Sequence, residues 1–75
     1  MAVNDFDINI MAERLRELRL ECGIGQNKLS ADLKLSNASI SYWENAKQEP
    51  SASALFKLAC YFNVSIDYIL GRSNV

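Results

Sequence analysis

The stretch QNKLSADLKLSNASISYWEN, residues 26–45, holds two short helical patterns on either side of a tight turn. In the first, about Gln26 to Leu33, Leu29 and Leu33 stand at i, i+4 spacing and so share one helix face. A helix this short is marginal alone, so packing must hold it. Lys34, Leu35 and Ser36 read as the turn, and Ser36 is a good N-cap for a second helix from Asn37 to about Glu44. That helix turns Ile40 and Trp43 inward. Its other face carries Asn37, Ala38, Ser39, Ser41 and Tyr42, small or polar groups that no core would select.

Working outward, helical spacing continues on both sides. A helix beginning near Ile8 to Ile10, capped by Asp7 or Asn9, places Met11, Leu15, Leu18 and Cys22 on one stripe, and Gly23 ends it in a left-handed conformation. After a loop from Asn45 to Glu49, Pro50 and Ser51 signal a helix of about Ala52 to Phe62 with Leu55, Leu58, Ala59 and Phe62 as its stripe. Asn63 suits a left-handed residue after it, and Ser65 with Asp67 opens a last short helix ending at Leu70 before Gly71. The expected architecture is all-α: a compact five-helix domain over residues 8–71. Leu29, Ile40, Trp43, Leu55, Leu58 and Phe62 are assigned to its core. Residues 1–7 form a flexible N-terminal arm and 72–75 a tail, both expected to fray.

Seventy-five residues, 49% of them hydrophobic, leave room for one core. The formal charge is -1, which argues against indiscriminate polyanion binding but allows a local basic face. With no histidine the commonest general base and the commonest zinc ligand are missing, and Cys22 and Cys60 cannot complete a four-ligand site by themselves. No Gly-rich phosphate loop and no Cys-His or Ser-His pair exists either, so neither an enzyme nor a cofactor is expected. No apolar run is long enough to cross a membrane, and the start, Met1 to Asp7, carries no Lys or Arg as a targeting peptide would. The expected compartment is the cytoplasm, where both cysteines are free thiols.

Two short helices joined by a tight turn, the second with a polar face, make the arrangement that sets a helix into the DNA major groove. From Arg14 to Gly71 the sequence also resembles the lambda-repressor, Cro and xenobiotic-response-element class of helix-turn-helix domains. The resemblance rests on Gln26 and Leu29, Ser36 with Ile40, the run Trp43-Glu44-Asn45, Pro50-Ser51, and Val64-Ser65 before Leu70-Gly71. It implies that Asn37, Ala38, Ser39 and Tyr42 face base edges. Gln26, Ser36, Ser41, Asn45 and Lys47 match positions that touch the DNA backbone, Gln26 also bracing the second helix of the motif. The chemistry suits those roles. Asn37 can pair with adenine N6 and N7, and Ala38 or the Tyr42 ring can meet a thymine methyl. The resemblance further implies an ion pair between Arg19 and Glu44. Three positions depart from the pattern: Gly25 replaces a capping Thr or Ser, while Lys34 and Ala46 stand where glycine is usual.

Across residues 26–47, Lys28, Lys34 and Lys47 face Asp32 and Glu44, a thin excess of positive charge that grows if Arg19 neutralises Glu44. The second helix of the motif has no Arg or Lys, so bidentate reading of guanine is absent there. One subunit should therefore bind weakly, and a homodimer on a two-fold double-stranded DNA operator is expected. Phe56, Ile66, Tyr68, Ile69 and Val75 are the candidate dimer contacts, although Ile66 and Ile69 could equally close the core. The expected function is a sequence-specific transcriptional regulator of the repressor type, with no small-molecule substrate. The alternative is a protein-interaction module, such as an antitoxin-like partner, on the same fold.

Overall fold

The computed structural model describes residues 5–75. Its helices are α1 (Ile8–Glu21), α2 (Gln26–Leu33), α3 (Asn37–Glu44), α4 (Ala52–Phe62) and α5 (Ile66–Leu70), with no strand among the described residues. Side chains start four of them. Asp7 Oδ1 accepts from the Asn9 N–H at 2.9 Å, Ser36 Oγ from Ser39 at 3.1 Å, Ser51 Oγ from Ala54 at 3.2 Å and Ser65 Oγ from Tyr68 at 2.9 Å. Each satisfies an amide that the helix itself leaves without a partner. Only α2 begins without such a bond, on Gly25.

Left-handed residues end the helices. Lys34 (φ 57°), Asn63 (φ 54°) and Gly71 (φ 85°) cap α2, α4 and α5, and Gly23 (φ 69°) follows α1. At Gly71 the backbone also approaches α1 so closely that a β-carbon would lie 2.8 Å from Ile10 Cγ2.

The core gathers Met11, Leu15 and Leu18 from α1, Leu29 and Leu33 from α2, Ile40 and Trp43 from α3, Ala54 and Leu58 from α4, and Ile69 from α5. Helix α1 packs on α3 and α5, α2 on α3 and α4, and α4 on α5. Helix α3 is thus held by α1 and α2, with its remaining face open. Ile40, 1% exposed, fixes its depth; truncating such a side chain to Ala costs about 2–5 kcal/mol.

Two expectations change. Cys22 lies off the α1 stripe, exposed at the helix end as a free thiol, and Cys60 is also free and exposed. Leu55 and Phe62 are half-buried at the core edge, because α4 turns the small side chain of Ala54 inward beside Leu58. The tail folds back onto the domain: Arg14 donates to Ser73 O at 2.6 Å, and Ser65 Oγ to Val75 O at 2.9 Å. Of the expected N-terminal arm, residues 1–4 lie outside the described residues. Asp5 to Asp7 are exposed and lie outside any helix, and Asp7, extended in its backbone, serves as the α1 cap.

Candidate nucleic-acid interface

The turn between α2 and α3 decides where α3 points. Lys34 takes a left-handed conformation (φ 57°, ψ 44°), and the Leu35 N–H returns to Ser30 O at 2.9 Å. A lysine here stores strain of order 1 kcal/mol, held by the packing on either side. Ser36 then caps α3, and its Oγ also lies 2.8 Å from Ser39 Oγ. Asn37, Ala38, Tyr42 and Asn45 are exposed on α3 and its C-terminal end, while Ser39 and Ser41 are half-buried. Tyr42, 45% exposed, is the one large ring on that face.

Behind the open face, α3 is fastened by charge. Glu44, 4% exposed, receives Arg19 Nε at 2.7 Å and Arg19 Nη2 at 2.9 Å, a bidentate pair. Arg19 Nη1 donates to Ile24 O at 2.9 Å, and Gln26 Nε2 donates to Glu44 Oε1 at 3.2 Å. The hydrogen bond to Glu44, more than the charge itself, holds the Arg19 guanidinium above its ordinary pKa. One carboxylate therefore ties α1, the start of α2 and the end of α3 together. Arg16 Nη1 adds a long contact to Glu44 O at 3.5 Å. At the far end of α3, Asn45 Nδ2 donates back to Ser41 O at 2.9 Å, Ala46 is left-handed, and the Lys47 N–H reaches Tyr42 O at 2.8 Å. The Lys47 side chain is exposed beside this turn.

Asn37 is less free than its exposure suggests. Its Oδ1 accepts from Ser30 Oγ at 2.6 Å, and its Nδ2 donates to Asn27 Oδ1. Neither Asn27 nor Ser30 stands out in the sequence as a site residue, because the contact crosses the turn and no spacing within one helix encodes it.

The candidate dimer residues divide. Ile69 is completely buried and cannot meet a partner: α5 is so short that it needs this side chain to close the core against α1 and α4. Tyr68 is half-buried, with the Arg14 guanidinium 4.4 Å from its ring centre and also donating to its carbonyl. Phe56, Ile66 and Val75 stay exposed, Phe56 along an open groove beside Leu33 and Tyr61. On the α2 side of that groove, Asp32 accepts from Tyr61 Oη at 2.7 Å and from Lys28 Nζ at 3.0 Å. These bonds, the Tyr61 hydroxyl first, hold the Asp32 carboxyl below its usual range; the same bond raises the Tyr61 phenol.

A pair of short helices crossing at a left-handed turn, the second pinned at its base and open on one face, defines a helix-turn-helix unit. The family model described as helix-turn-helix matches residues 15–69. The chain is 34% identical over 65 residues to the HTH-type transcriptional regulator ImmR of Bacillus subtilis (strain 168), covering 87% of this chain and 51% of that protein. It is 36% identical over 61 residues to repressor protein C2 of Salmonella phage P22, covering 81% of this chain and 28% of the repressor. The crystal structure of the P22 c2 repressor with synthetic operator 9T matches it with a TM-score of 0.80 at 34% identity, over 85% of this chain and 97% of that one. The chain belongs to the helix-turn-helix family of lambda-repressor/Cro-like domains. It spans about half the length of ImmR and under a third of C2.

Proposed function

We propose that this chain is a sequence-specific DNA-binding domain of a repressor-type transcriptional regulator, acting in the cytoplasm by occupying an operator rather than by chemistry. The observation that carries the reading is the division of α3: Ile40, Trp43 and Glu44 are buried, while Asn37, Ala38 and Tyr42 are exposed along its outer face. In this proposal α3 enters the major groove, where Asn37, Ala38, Ser39 and Tyr42 meet base edges. Gln26, Ser36, Ser41, Asn45 and Lys47 meet the sugar-phosphate backbone and fix the register. Gln26 has a second duty through its bond to Glu44, which links a backbone contact to the angle of α3. The names of ImmR and C2, a transcriptional regulator and a repressor, support the same reading. Two subunits on a two-fold site supply the affinity that a helix without Arg or Lys lacks, with Phe56 and Ile66 as the exposed apolar contacts.

The test is selection of bound sequences from a random DNA pool. The expected product is a palindrome with half-sites one helical turn apart, whose preferences change with Asn37→Ala or Tyr42→Ala. No site-specific complex at low salt, or a sequence profile untouched by Asn37→Ala and Ser39→Ala, counts against the proposal.

A further inference from the structure

Ser30 is 5% exposed, and a buried hydroxyl must find partners. Its Oγ lies 3.0 Å from Asn27 O, within its own helix, and 2.6 Å from Asn37 Oδ1, across the turn on α3. Asn37 Nδ2 donates in turn to the side-chain oxygen of Asn27. Both ends of the Asn37 amide are therefore held from α2. An exposed asparagine would otherwise sample several rotamers and have to be ordered when a partner binds. A primary amide has a second proton and a second lone pair, so this clamp leaves one donor and one acceptor, in number what a contact to adenine N7 and N6 uses.

We propose that Asn27 and Ser30 are positioning residues that set the base preference of Asn37 by fixing its amide before DNA arrives. The inference rests on α3 being the reading helix. Asn27 itself touches no base. Its Oδ1 holds the Asn37 amide nitrogen, while Ser30, anchored on α2, holds the amide oxygen. Discrimination at one base pair of each half-site then depends on a side chain outside the groove-facing surface, and the phosphate contacts do not.

The experiment compares the chain with Asn27→Ala, Asn27→Asp and Asn37→Ala, using selection from a random DNA pool, binding to the selected duplex across a salt series, and thermal melting. Asn27→Ala is expected to melt close to the parent and to keep its salt slope. Its preference at one position per half-site falls about tenfold, within the range for losing one good amide–base pair, and that position is the one altered by Asn37→Ala. Asn27→Asp retains an acceptor for Asn37 Nδ2, so it keeps the preference while binding every sequence more weakly, because its charge repels phosphate. A parent that selects a clear site while Asn27→Ala selects the same bases overturns the inference and leaves the proposed function standing. So does a result in which Asn37→Ala and Asn27→Ala alter different positions. A parent that selects no site overturns the DNA-binding reading, and this inference with it.

Discussion

Glu44 is a carboxylate that water hardly reaches, and an ion buried to that degree costs several kcal/mol unless its partners are well placed. Here they are: two guanidinium bonds from Arg19 and one amide bond from Gln26. Arg19→Ala removes the charged partner and leaves Glu44 buried with Gln26 alone, so the expected loss is about 3–5 kcal/mol. Small domains have about 5–15 kcal/mol in total, so urea unfolding should place this variant near the edge of folding. Adding Glu44→Leu to an Arg19→Met chain should recover much of the loss, since an apolar pair leaves no orphaned charge. A double variant no more stable than Arg19→Ala would show that packing, not charge burial, dominates the site. The pair was legible in the sequence only through the family resemblance, because Arg19 and Glu44 lie on different helices. The clamp on Asn37 was not legible. Asn27 and Ser30 read as ordinary polar residues, and Asn37 as a base-facing one with no partner inside the protein, until the turn at Lys34 brings α2 and α3 together.

At the scale of elements, caps made the helices readable. Ser36, Ser51 and Ser65 each stand just before an apolar periodic run, and each caps a helix where that pattern places it. The phase of α4 was harder to read, because Ala54 packs inward without the bulk that marks a stripe. Helix α2 is the weakly started one. Gly25 has φ -85° and ψ 171°, and a β-carbon there would meet nothing within 4 Å. Gly25→Ser can therefore cap α2 without strain. A few tenths of a kcal/mol from the cap and about 0.4–1 from the stiffer unfolded chain should raise stability by about 1 kcal/mol. That is a rise in Tm of about 4–8 °C for a domain of this size, and an unchanged melt would mean that α2 starts elsewhere. The other end of α2 is tied to α4 by Asp32 and Tyr61. The Asp32 pKa is lowered, so its contribution is present above the unfolded value of about 3.9 and is lost as pH falls through the folded value. The Tyr61 pKa is raised, so its contribution is present below about 10 and is lost as pH rises through the folded value. This bond therefore stabilises over a plateau between the two limits. Tyr61→Phe should lower stability slightly at pH 7 and by less once pH falls through the folded Asp32 value, measured by urea unfolding across pH; a loss that stays constant down the acid limb would remove the ionised form of the hydrogen bond as the cause.

For the whole molecule, the proposed function raises the question of how a chain of net charge -1 would hold DNA. Among the described residues Arg19, Lys28 and Arg72 are paired with carboxylates, Arg14 is spent on Tyr68 and the tail, and Lys57 donates to Leu33 O. Lys34 and Lys47 are left with neither an ion pair nor such a bond, and Arg16 holds only its long 3.5 Å contact to Glu44 O. If each meets one phosphate, a subunit releases about three counterions and log K falls with log salt at a slope of about -3. Two subunits on a palindrome should about double that slope, and one subunit on a half-site should show the smaller value at far weaker affinity. Under the proposed pairing, the exposed apolar contacts decide which regime holds. Ile69 is buried, so Ile69→Lys would report only unfolding, whereas Phe56 and Ile66 are 56% and 38% exposed and can be changed without touching the core. Phe56→Lys or Ile66→Lys is therefore expected to leave the melt unchanged, to reduce binding to the palindrome toward that of the half-site, and to halve the salt slope. The measurement is fluorescence anisotropy on both duplexes from low to moderate salt, with sedimentation of the free chain alongside. A half-site bound as tightly as the palindrome, with the same slope, would place the affinity in one subunit and remove the need for a pair.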